Sequence, residues 1–378
     1  MCARLARRPA RPPRKPTVVK VTFLIFRPSM SGGARVSARY ARMLKERGHD
    51  VAIVGLGEPP TPFGKRLLQA IGAAPRWKEK PSHYSLEGLD VHLVHGRKTI
   101  LEGDVPDADV IVASYWLAAE HMFALPASKG AKVYFIQHHE AEFPHVNQKR
   151  AAATYRAPCA MMAVSGWLVD VLADRYDRRD VALVLNAVDT AQFAPPAPRR
   201  KQKRPTIGFL GSSNATKRVD IAIGACEILR ERFPDLRVRV LAAASPSGDY
   251  VMHDWFEPTY NPPQEKLADI YADCDAWLFT SDIEGYGLPL LEALACGTPL
   301  VARPAGAAPD LVTAENGVLV DSDDPAVIAA ATARILSSPD EDWKKMSDAA
   351  LKTAQAHDWT RSFEKFEAGL LEAAKRRA

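Results

Sequence analysis

The chain has 378 residues, too many for one ordinary domain and a comfortable length for two hydrophobic cores. Hydrophobic residues make up 47% of the chain and charged residues 25%, which is the usual balance of a soluble globular protein. The net charge of +5 is mild, so we expect no nucleic-acid partner.

Much of the positive charge lies in two short segments. Residues 1–20 contain seven basic residues and no acidic ones, and residues 199–204 contain five basic residues. We interpret these segments as a solvated tail, disordered over residues 1–16, and a solvated linker. The alternative is a weak peripheral contact with an anionic membrane surface.

Five cysteines are present, and no pair of them has metal-ligand or redox spacing. This usage argues for a reducing compartment and against a disulfide framework. The sequence has no stretch of about 18 uncharged apolar residues, which argues against a transmembrane helix, and its basic N-terminus lacks a signal-peptide pattern. We therefore expect a cytoplasmic protein, with any membrane association at the inner face.

The first half of the chain begins with a strand, a turn and a helix. A β-branched and aromatic run over 18–26 predicts a buried strand, small residues over 29–33 a turn, and the spacing over 34–47 a helix. With a second strand over 51–54, this unit predicts a doubly wound α/β domain over residues 17–194. Later strands are predicted at 91–94, 110–113, 133–136, 161–164 and 182–185.

A second α/β series follows a segment rich in proline and basic residues. We interpret residues 195–205 as the linker between domains and residues 206–357 as the second domain. The last segment, 358–378, is predicted to form an amphipathic closing helix. The elements predicted in the second domain are strands at 206–210, 238–242, 276–279 and 300–302 and a helix at 219–233.

The most informative motif is the stretch 284–292, which reads EGYGLPLLE and follows the apolar strand at 276–279. Pro289 is typical of the first turn of a helix, so the residues before it form a loop at a strand's carboxyl end and directly before a helix. The N–H groups of Gly287, Leu288 and Leu290, together with the helix dipole, then favour a phosphate. Glu284 and Glu292 flank this cradle, and carboxylates suit the recognition of sugar hydroxyls. Each glutamate alone is also consistent with a solvated residue near a helix start.

The stretch 281–301 resembles the Glu-x7-Glu signature of retaining glycosyltransferase family 4. The resemblance extends over most of residues 17–365 and includes similar segments at 164–165, 186–189, 193, 306, 315–320 and 359. It implies the GT-B fold, in which two Rossmann-like doubly wound domains face each other across a cleft. The first domain would bind the acceptor and the second the nucleotide sugar, while the closing helix would cross back to the first domain.

The resemblance also implies an activity. We expect a hexosyltransferase that moves a sugar, with retention, from a nucleotide-diphosphate sugar to a glycan, lipid-linked or small-molecule acceptor in cell-surface polysaccharide biosynthesis. Neither a cofactor nor a metal is implied. A weaker similarity over 134–137, 140, 143–144 and 154–155 is to a rhamnosyltransferase branch, which points to a deoxythymidine-diphosphate deoxysugar donor.

Site roles follow from the resemblance position by position. Glu284 would contact the donor sugar, and Glu292 would bind the ribose hydroxyls. In the loop that begins at Gly285, the N–H groups of Tyr286, Gly287 and Leu288 would hold the sugar and the diphosphate.

Two basic residues are implied at the diphosphate. Lys217 stands at the family's diphosphate-binding lysine, with an exposed helix-start residue as the alternative interpretation. Ser212 replaces the family's companion arginine, and the adjacent Arg218 is a candidate substitute.

The first domain contributes two further candidate segments. Gly32 and Gly33 follow the first strand and allow close approach to a diphosphate, although a plain tight turn is equally consistent with them. The segment 137–140, which reads QHHE, ends the strand at 133–136, where carboxyl ends point into the crevice. The family often has a histidine near the reacting carbon, and we favour His138 over His139. One buried and one solvated histidine is the alternative.

Three other interpretations are weaker. A metal site formed by His138, His139, Glu140 and His145 has no familiar ligand spacing. A dehydrogenase would need the Gly-x-Gly-x-x-Gly fingerprint, which is absent from the sequence. A catalytically weak nucleotide-sugar-binding or scaffold protein on the same fold is motivated by Ser212.

Overall fold

A computed structural model describes residues 17–195, 198–243 and 252–377 of the chain, apart from 63, 65–69, 73–76 and 79. Within these residues the strands form two parallel sheets, one of seven strands and one of six. The expected α/β class, with two doubly wound halves, is confirmed. The predicted disordered tail, residues 1–16, lies outside the described residues.

The first sheet has the strand order β3-β2-β1-β4-β5-β6-β7 among the described residues. The order reverses at β1, which pairs with both β2 and β4, so a crevice opens at the carboxyl ends of the central strands. Its strands are β1 (Lys20–Ile25), β2 (Asp50–Leu56), β3 (His92–Val94), β4 (Val110–Ala113), β5 (Ala131–Ile136), β6 (Ala160–Ala163) and β7 (Val181–Leu183). The helices between them are α1 (Gly32–Glu46), α2 (His83–Leu86), α3 (Trp116–Ala124), α4 (Gln148–Thr154) and α5 (Gly166–Tyr176).

The second sheet has the order β10-β9-β8-β11-β12-β13 within the described part of the chain. Its strands are β8 (Thr206–Gly211), β9 (Arg237–Ala242), β10 (Phe256–Tyr260), β11 (Ala276–Phe279), β12 (Leu300–Ala302) and β13 (Gly317–Leu319). Its helices are α6 (Val219–Arg232), α7 (Leu267–Ala272), α8 (Leu288–Ala295), α9 (Ala308–Leu311), α10 (Pro325–Ser337) and α11 (Asp340–Ala356).

Two strands of the second sheet were not predicted from the sequence, and both are edge strands. β10 contains Pro258, which lacks a backbone N–H and is tolerated only where one side of the strand is unpaired. β13 is three residues long, too short to give a clear alternating pattern.

The closing helix, α12 (Trp359–Arg377), packs on the first sheet rather than on the second. Its fully buried Phe366 stacks on Tyr40 of α1 with a centroid distance of 4.3 Å and lies 5.0 Å from the ring of Phe135 in β5. The end of the chain therefore joins the two halves, because it leaves the second half and buries its apolar face in the first.

The basic segment 199–204 differs from the solvated linker that we expected. Arg199 is only 6% exposed, and its guanidinium donates to the carbonyl oxygen of Cys274 at 2.9 Å and lies over the ring of Trp343. The ammonium group of Lys201 donates to the carbonyl oxygen of Ser338. The solvated interpretation is wrong for these two residues, because long cationic side chains can bury their stems and satisfy their donors on backbone carbonyls. None of the described helices is long and apolar enough to cross a bilayer.

Candidate active site

The two halves meet at Gly32 and Gly285, and Gly33 lies against Gln137 within the first half. A Cβ atom on Gly32 would lie 3.4 Å from Cδ1 of Leu288, and one on Gly33 would lie 3.4 Å from Cβ of Gln137. A Cβ atom on Gly285 would overlap the carbonyl oxygen of Gln137. The loops after β1, β5 and β11 therefore converge on one crevice, and the segments predicted to form the site lie together there.

The loop before α8 has the backbone that a phosphate cradle requires, with one difference from expectation. Gly287 caps the helix with a φ of +86°, a left-handed conformation that favours glycine, and the helix begins at Leu288 with Pro289 in its first turn. The N–H of Leu290 donates to the carbonyl oxygen of Gly287 at 2.9 Å, so the prediction that this N–H is free is wrong. The N–H groups of Gly287 and Leu288 have no acceptor among the described residues.

Glu284 is held beside Lys217. The side chain of Lys217 forms an ion pair with Oε1 of Glu284, and the hydroxyl of Ser281 donates to the same oxygen at 2.9 Å. Glu284 is 8% exposed, so its charge is balanced in a largely desolvated place. The predicted sugar-binding carboxylate and the predicted diphosphate-binding lysine are thus brought into direct contact.

His138 faces this pair, whereas His139 does not. Burial lowers the pKa of His138 to about 4, against the opposing effect of the Glu284 carboxylate, so the imidazole is neutral at pH 7. Its Nδ1 is buried and has no hydrogen-bond partner within the described residues. Nε2 of His139 lies instead 2.7 Å from the hydroxyl of Tyr176, the last residue of α5. Of the two candidates, His138 is the one placed to meet a ligand.

Glu292 is buried and bound from both halves. The hydroxyl of Tyr271 donates to its Oε2 at 2.9 Å, and Nη2 of Arg35 forms an ion pair with its Oε1 at 2.9 Å. Sequence reasoning missed Arg35. The signal that could have found it is its place in the first turns of α1, three residues after Gly32.

Three hydrogen bonds hold the loop 284–288 and its surroundings against the first half. The hydroxyl of Tyr286 donates to the carbonyl oxygen of Asn186 at 2.9 Å. The hydroxyl of Ser165 donates to the carbonyl oxygen of Gly285 at 2.7 Å, and the N–H of Gly166 donates to Asp310 at 3.0 Å. The side chain of Tyr286 therefore serves the contact between the halves, while its backbone remains in the predicted cradle.

Arg218 occupies a different environment from Lys217. Its backbone is left-handed, with a φ of +46°, and its guanidinium forms ion pairs with Asp220 at 2.9 Å, Asp323 at 3.3 Å and Asp282 at 3.4 Å. Three carboxylates therefore compete with any phosphate for this side chain. The hydroxyl of Ser212 accepts the N–H of Asn214 at 3.1 Å.

Comparison with known proteins identifies the family. A model described as Glycosyltransferase Family 4 matches residues 30–192, and one described as Glycosyl transferases group 1 matches residues 204–338. The chain belongs to the family 4 glycosyltransferases. The two matches correspond to the two halves of the structure.

Relatives of this glycosyltransferase include proteins named D-inositol 3-phosphate glycosyltransferase. The protein of that name from Corynebacterium urealyticum is 29% identical over 207 residues, 47% of this chain and 48% of the relative. That from Acidothermus cellulolyticus is 26% identical over 352 residues, 81% of this chain and 78% of the relative. The chain thus spans about half the length of the first curated relatives that it matches.

Solved structures with the same fold cover nearly the whole chain. Anabaena Alr3699/HepE in complex with UDP-glucose has a TM-score of 0.70 at 17% identity, covering 94% of this chain and 100% of that one. Sucrose-phosphate synthase from Thermosynechococcus elongatus has a TM-score of 0.69 at 16% identity, covering 92% and 98%. At these identities the likeness establishes the fold, which is GT-B.

The first half of the glycosyltransferase has a cavity of about 400 Å³ at the carboxyl ends of β1, β4 and β5. Aromatic rings form its walls. The ring centroids of Phe26 and Tyr115 are 5.7 Å apart, and those of Phe143 and His138 are 4.5 Å apart. Hydroxyl groups of Ser29, Ser31 and Ser114 line it as well. The cavity therefore offers apolar faces and hydrogen-bonding groups next to His138.

The residues that we considered as a metal site have separate partners in the structure. Glu140 is buried, accepts the N–H of Trp116 at 2.8 Å, and burial raises its pKa to about 8. His139 is bound to Tyr176, and His138 faces Glu284. Among the described residues, no group of three or more His, Cys, Asp or Glu side chains is arranged to hold a metal ion.

Proposed function

We propose that this glycosyltransferase moves a sugar, with retention at the anomeric carbon, from a nucleotide-diphosphate sugar to a hydroxyl of a glycan, lipid-linked or small-molecule acceptor. The observation that carries the proposal is the contact between Lys217 and Glu284 just before α8, whose first residue, Leu288, lies against Gly32 at the start of α1. The setting that we propose, cell-surface polysaccharide biosynthesis, rests on the family resemblance.

The electrostatics of the crevice support a diphosphate. The helices α1 and α8 both begin there, and the N-terminal end of a helix carries a partial positive charge and outward N–H groups. Lys217 adds a full charge at Glu284, and within the described part of the chain the N–H groups of Gly287 and Leu288 have no acceptor. Solved structures of Anabaena Alr3699/HepE in complex with UDP and glucose and with UDP-glucose support the donor class.

The proposed reaction breaks the bond between the anomeric carbon and the diphosphate oxygen and forms a bond from that carbon to the acceptor oxygen. Lys217 and the N–H groups at α8 stabilise the charge on the departing diphosphate, and the acceptor proton passes to that diphosphate. Glu284 accepts hydrogen bonds from hydroxyls of the donor sugar rather than acting as a nucleophile. Lys217 and Ser281 hold its Oε1 in place. Neutral His138 provides a hydrogen-bonding nitrogen to the sugar near the reacting carbon.

The acceptor would occupy the cavity lined by Phe26, Tyr115 and Phe143. Aromatic faces pack against the C–H surfaces of a sugar or cyclitol ring, while the serine hydroxyls bind its hydroxyl groups. Relatives named for D-inositol 3-phosphate support a small hydroxylated ring as one acceptor class.

The test is a panel of nucleotides and nucleotide sugars. A ligand that binds only the folded state raises the melting temperature, so UDP, ADP, GDP and dTDP and their sugars are compared by thermal shift. Sugars that stabilise the protein are then assayed for slow hydrolysis and for transfer to glycan and inositol phosphate acceptors, with the anomeric configuration read by NMR. Binding without any hydrolysis or transfer would favour the scaffold alternative raised by Ser212, and an inverted product would overturn the retaining mechanism.

A further inference from the structure

Lys217, Arg218 and Arg35 each pair with carboxylates of the second half. Lys217 pairs with Glu284, and Arg218 pairs with Asp220, Asp282 and Asp323. Arg35 alone comes from the first half. Among the described residues, Glu292 is the one carboxylate within ion-pairing distance of it.

Arg35 is placed at the junction of the two helix N-termini. It lies one turn after Ser31, whose hydroxyl caps α1, and its N–H donates to the carbonyl oxygen of Ser31 at 3.0 Å. Gly32 of the same turn lies against Leu288, the first residue of α8. The Arg35 side chain is 21% exposed and the Glu292 side chain 6%, so the carboxylate is buried while the guanidinium keeps some access to solvent.

A bound donor would change the partners of this pair. Under the proposed function the ribose hydroxyls take the oxygens of Glu292, and a ribose is joined to its diphosphate through one methylene group. An arginine that already reaches Glu292 then lies beside the phosphates, and its planar fork of five N–H donors suits phosphate oxygens.

We propose that Arg35 passes from Glu292 to the diphosphate when the donor binds, so that the first half supplies a second cation to the leaving group. This inference rests on the proposed function. It explains why a cation of the acceptor half is held at the carboxylate that is assigned to the nucleotide. It also makes leaving-group stabilisation depend on closure of the two halves, because Lys217 and Arg35 come from opposite sides.

The test compares Arg35→Ala, Arg35→Lys, Glu292→Gln and the double variant that combines Arg35→Ala with Glu292→Gln. The ligands are the nucleoside diphosphate that stabilises the wild type best, chosen from UDP, ADP, GDP and dTDP, and the nucleoside of the same base. Arg42→Ala is the matched control, because Arg42 lies two turns further along α1 and pairs with Glu46 of the same helix at 2.7 Å.

We expect Arg35→Ala to weaken diphosphate binding about tenfold or more and to leave nucleoside binding unchanged, since the lost contact is to phosphate. Turnover should fall by about a hundredfold or more, as for other donors to a developing negative charge. Arg35→Lys should recover part of both, and the double variant should turn over more slowly than Glu292→Gln alone. Arg42→Ala should behave as the wild type.

The opposite pattern would overturn the inference. If Arg35 only neutralises Glu292, Arg35→Ala will alter nucleoside binding, and the double variant will turn over at the same rate as Glu292→Gln alone. Wild-type turnover in Arg35→Ala would also overturn it while leaving the proposed function intact. A wild type that neither binds a nucleoside diphosphate nor hydrolyses a nucleotide sugar would overturn the proposed function itself.

Discussion

Gly285 packs against the backbone of Gln137 so closely that a methyl group at position 285 would overlap the Gln137 carbonyl oxygen. The two residues belong to different halves of the molecule and follow β11 and β5, respectively. The hydroxyl of Ser165 donates to the carbonyl oxygen of Gly285 at 2.7 Å. Gly285 therefore both packs against the first half and accepts a hydrogen bond from it. Apposition of the two halves at the crevice therefore depends on the absence of a side chain at 285.

Gly285→Ala should separate the two halves at the crevice and reduce turnover by about a hundredfold, because displacement of reacting groups by about 1 Å is enough for such a loss. The added methyl group meets backbone, which cannot rotate away. Turnover and the small-angle scattering profile check this expectation. Gly103→Ala is the control, since a Cβ atom there meets nothing within 4 Å. Normal turnover in Gly285→Ala would show that the closed contact is not needed.

Glu292→Gln and Glu284→Gln should affect different ligands. Glu292 is assigned to the ribose, so its loss should weaken binding of free nucleoside diphosphate. Glu284 is assigned to the sugar, so its loss should weaken binding of the intact donor alone. Each lost charge-assisted hydrogen bond is expected to lower affinity by about ten- to a hundredfold. Calorimetric titration of both variants with nucleotide and nucleotide sugar measures this, and equal losses for free nucleotide would contradict the assignment.

Lys217→Ala should reduce turnover more than it reduces donor affinity. The charge on the departing diphosphate is larger in the transition state than in the ground state, so a cation there acts mainly on the rate. We expect a loss of about a hundred- to a thousandfold in kcat. Comparison of kcat with the dissociation constant of the donor is the measurement. Near wild-type turnover would make Lys217 an ordinary neighbour of Glu284.

Local sequence signals predicted the α/β class and most of the strands, and the family resemblance predicted the segments that meet at the crevice, although not Arg35. β4, which reads VIVA, is buried at every position, and such a continuous apolar run is typical of a parallel strand covered on both faces. The glycines at 32, 33 and 285 mark the places of close approach, although the sequence could not say that two of them meet Gln137. Contacts between halves, such as Arg35 with Glu292, join residues more than 250 positions apart and leave no periodic trace.

The burial of Arg199 could not be predicted either, because it too depends on residues that are distant in the sequence. Five basic residues within 199–204 have the composition of a solvated segment. The acceptors that hold Arg199 are backbone carbonyls of residues 272 and 274, which exist as a site only after α7 and β11 have folded. Composition describes the segment alone, whereas burial depends on what packs around it.

Nucleotide binding should not require a divalent metal. Glu284 is paired with Lys217, and the carboxylates of Asp220, Asp282 and Asp323 are held by Arg218 and Arg303 rather than gathered around an open position. Binding of the nucleoside diphosphate in EDTA should therefore equal binding in Mg²⁺ within about twofold, because helix N–H groups and Lys217 supply the positive charge. Binding that disappears in EDTA and returns with Mg²⁺ alone would contradict this expectation.

Glu140→Gln should make the protein more resistant to unfolding at alkaline pH. Burial raises the pKa of Glu140 from 4.5 to about 8, although the N–H of Trp116 and the hydroxyl of Tyr134 oppose the effect. Between those two pH values the folded state keeps a proton that the unfolded state has lost. Stability therefore falls as pH rises from about 4.5 to about 8 and is level above that range.

The glutamine variant lacks this titration and still offers an oxygen to Trp116 and Tyr134. Its melting temperature should match that of the wild type near pH 4.5 and exceed it by at least about 3 °C at pH 8, since about 1 kcal/mol shifts the midpoint by about 2–4 °C in domains of this size. Thermal unfolding of both proteins at half-unit pH steps is the measurement, with Glu142→Gln as a partly exposed neighbour for comparison. A difference that is constant with pH would mean that Glu140 is charged in the folded state, and its carboxylate would then have to be counted among the charges next to the acceptor cavity.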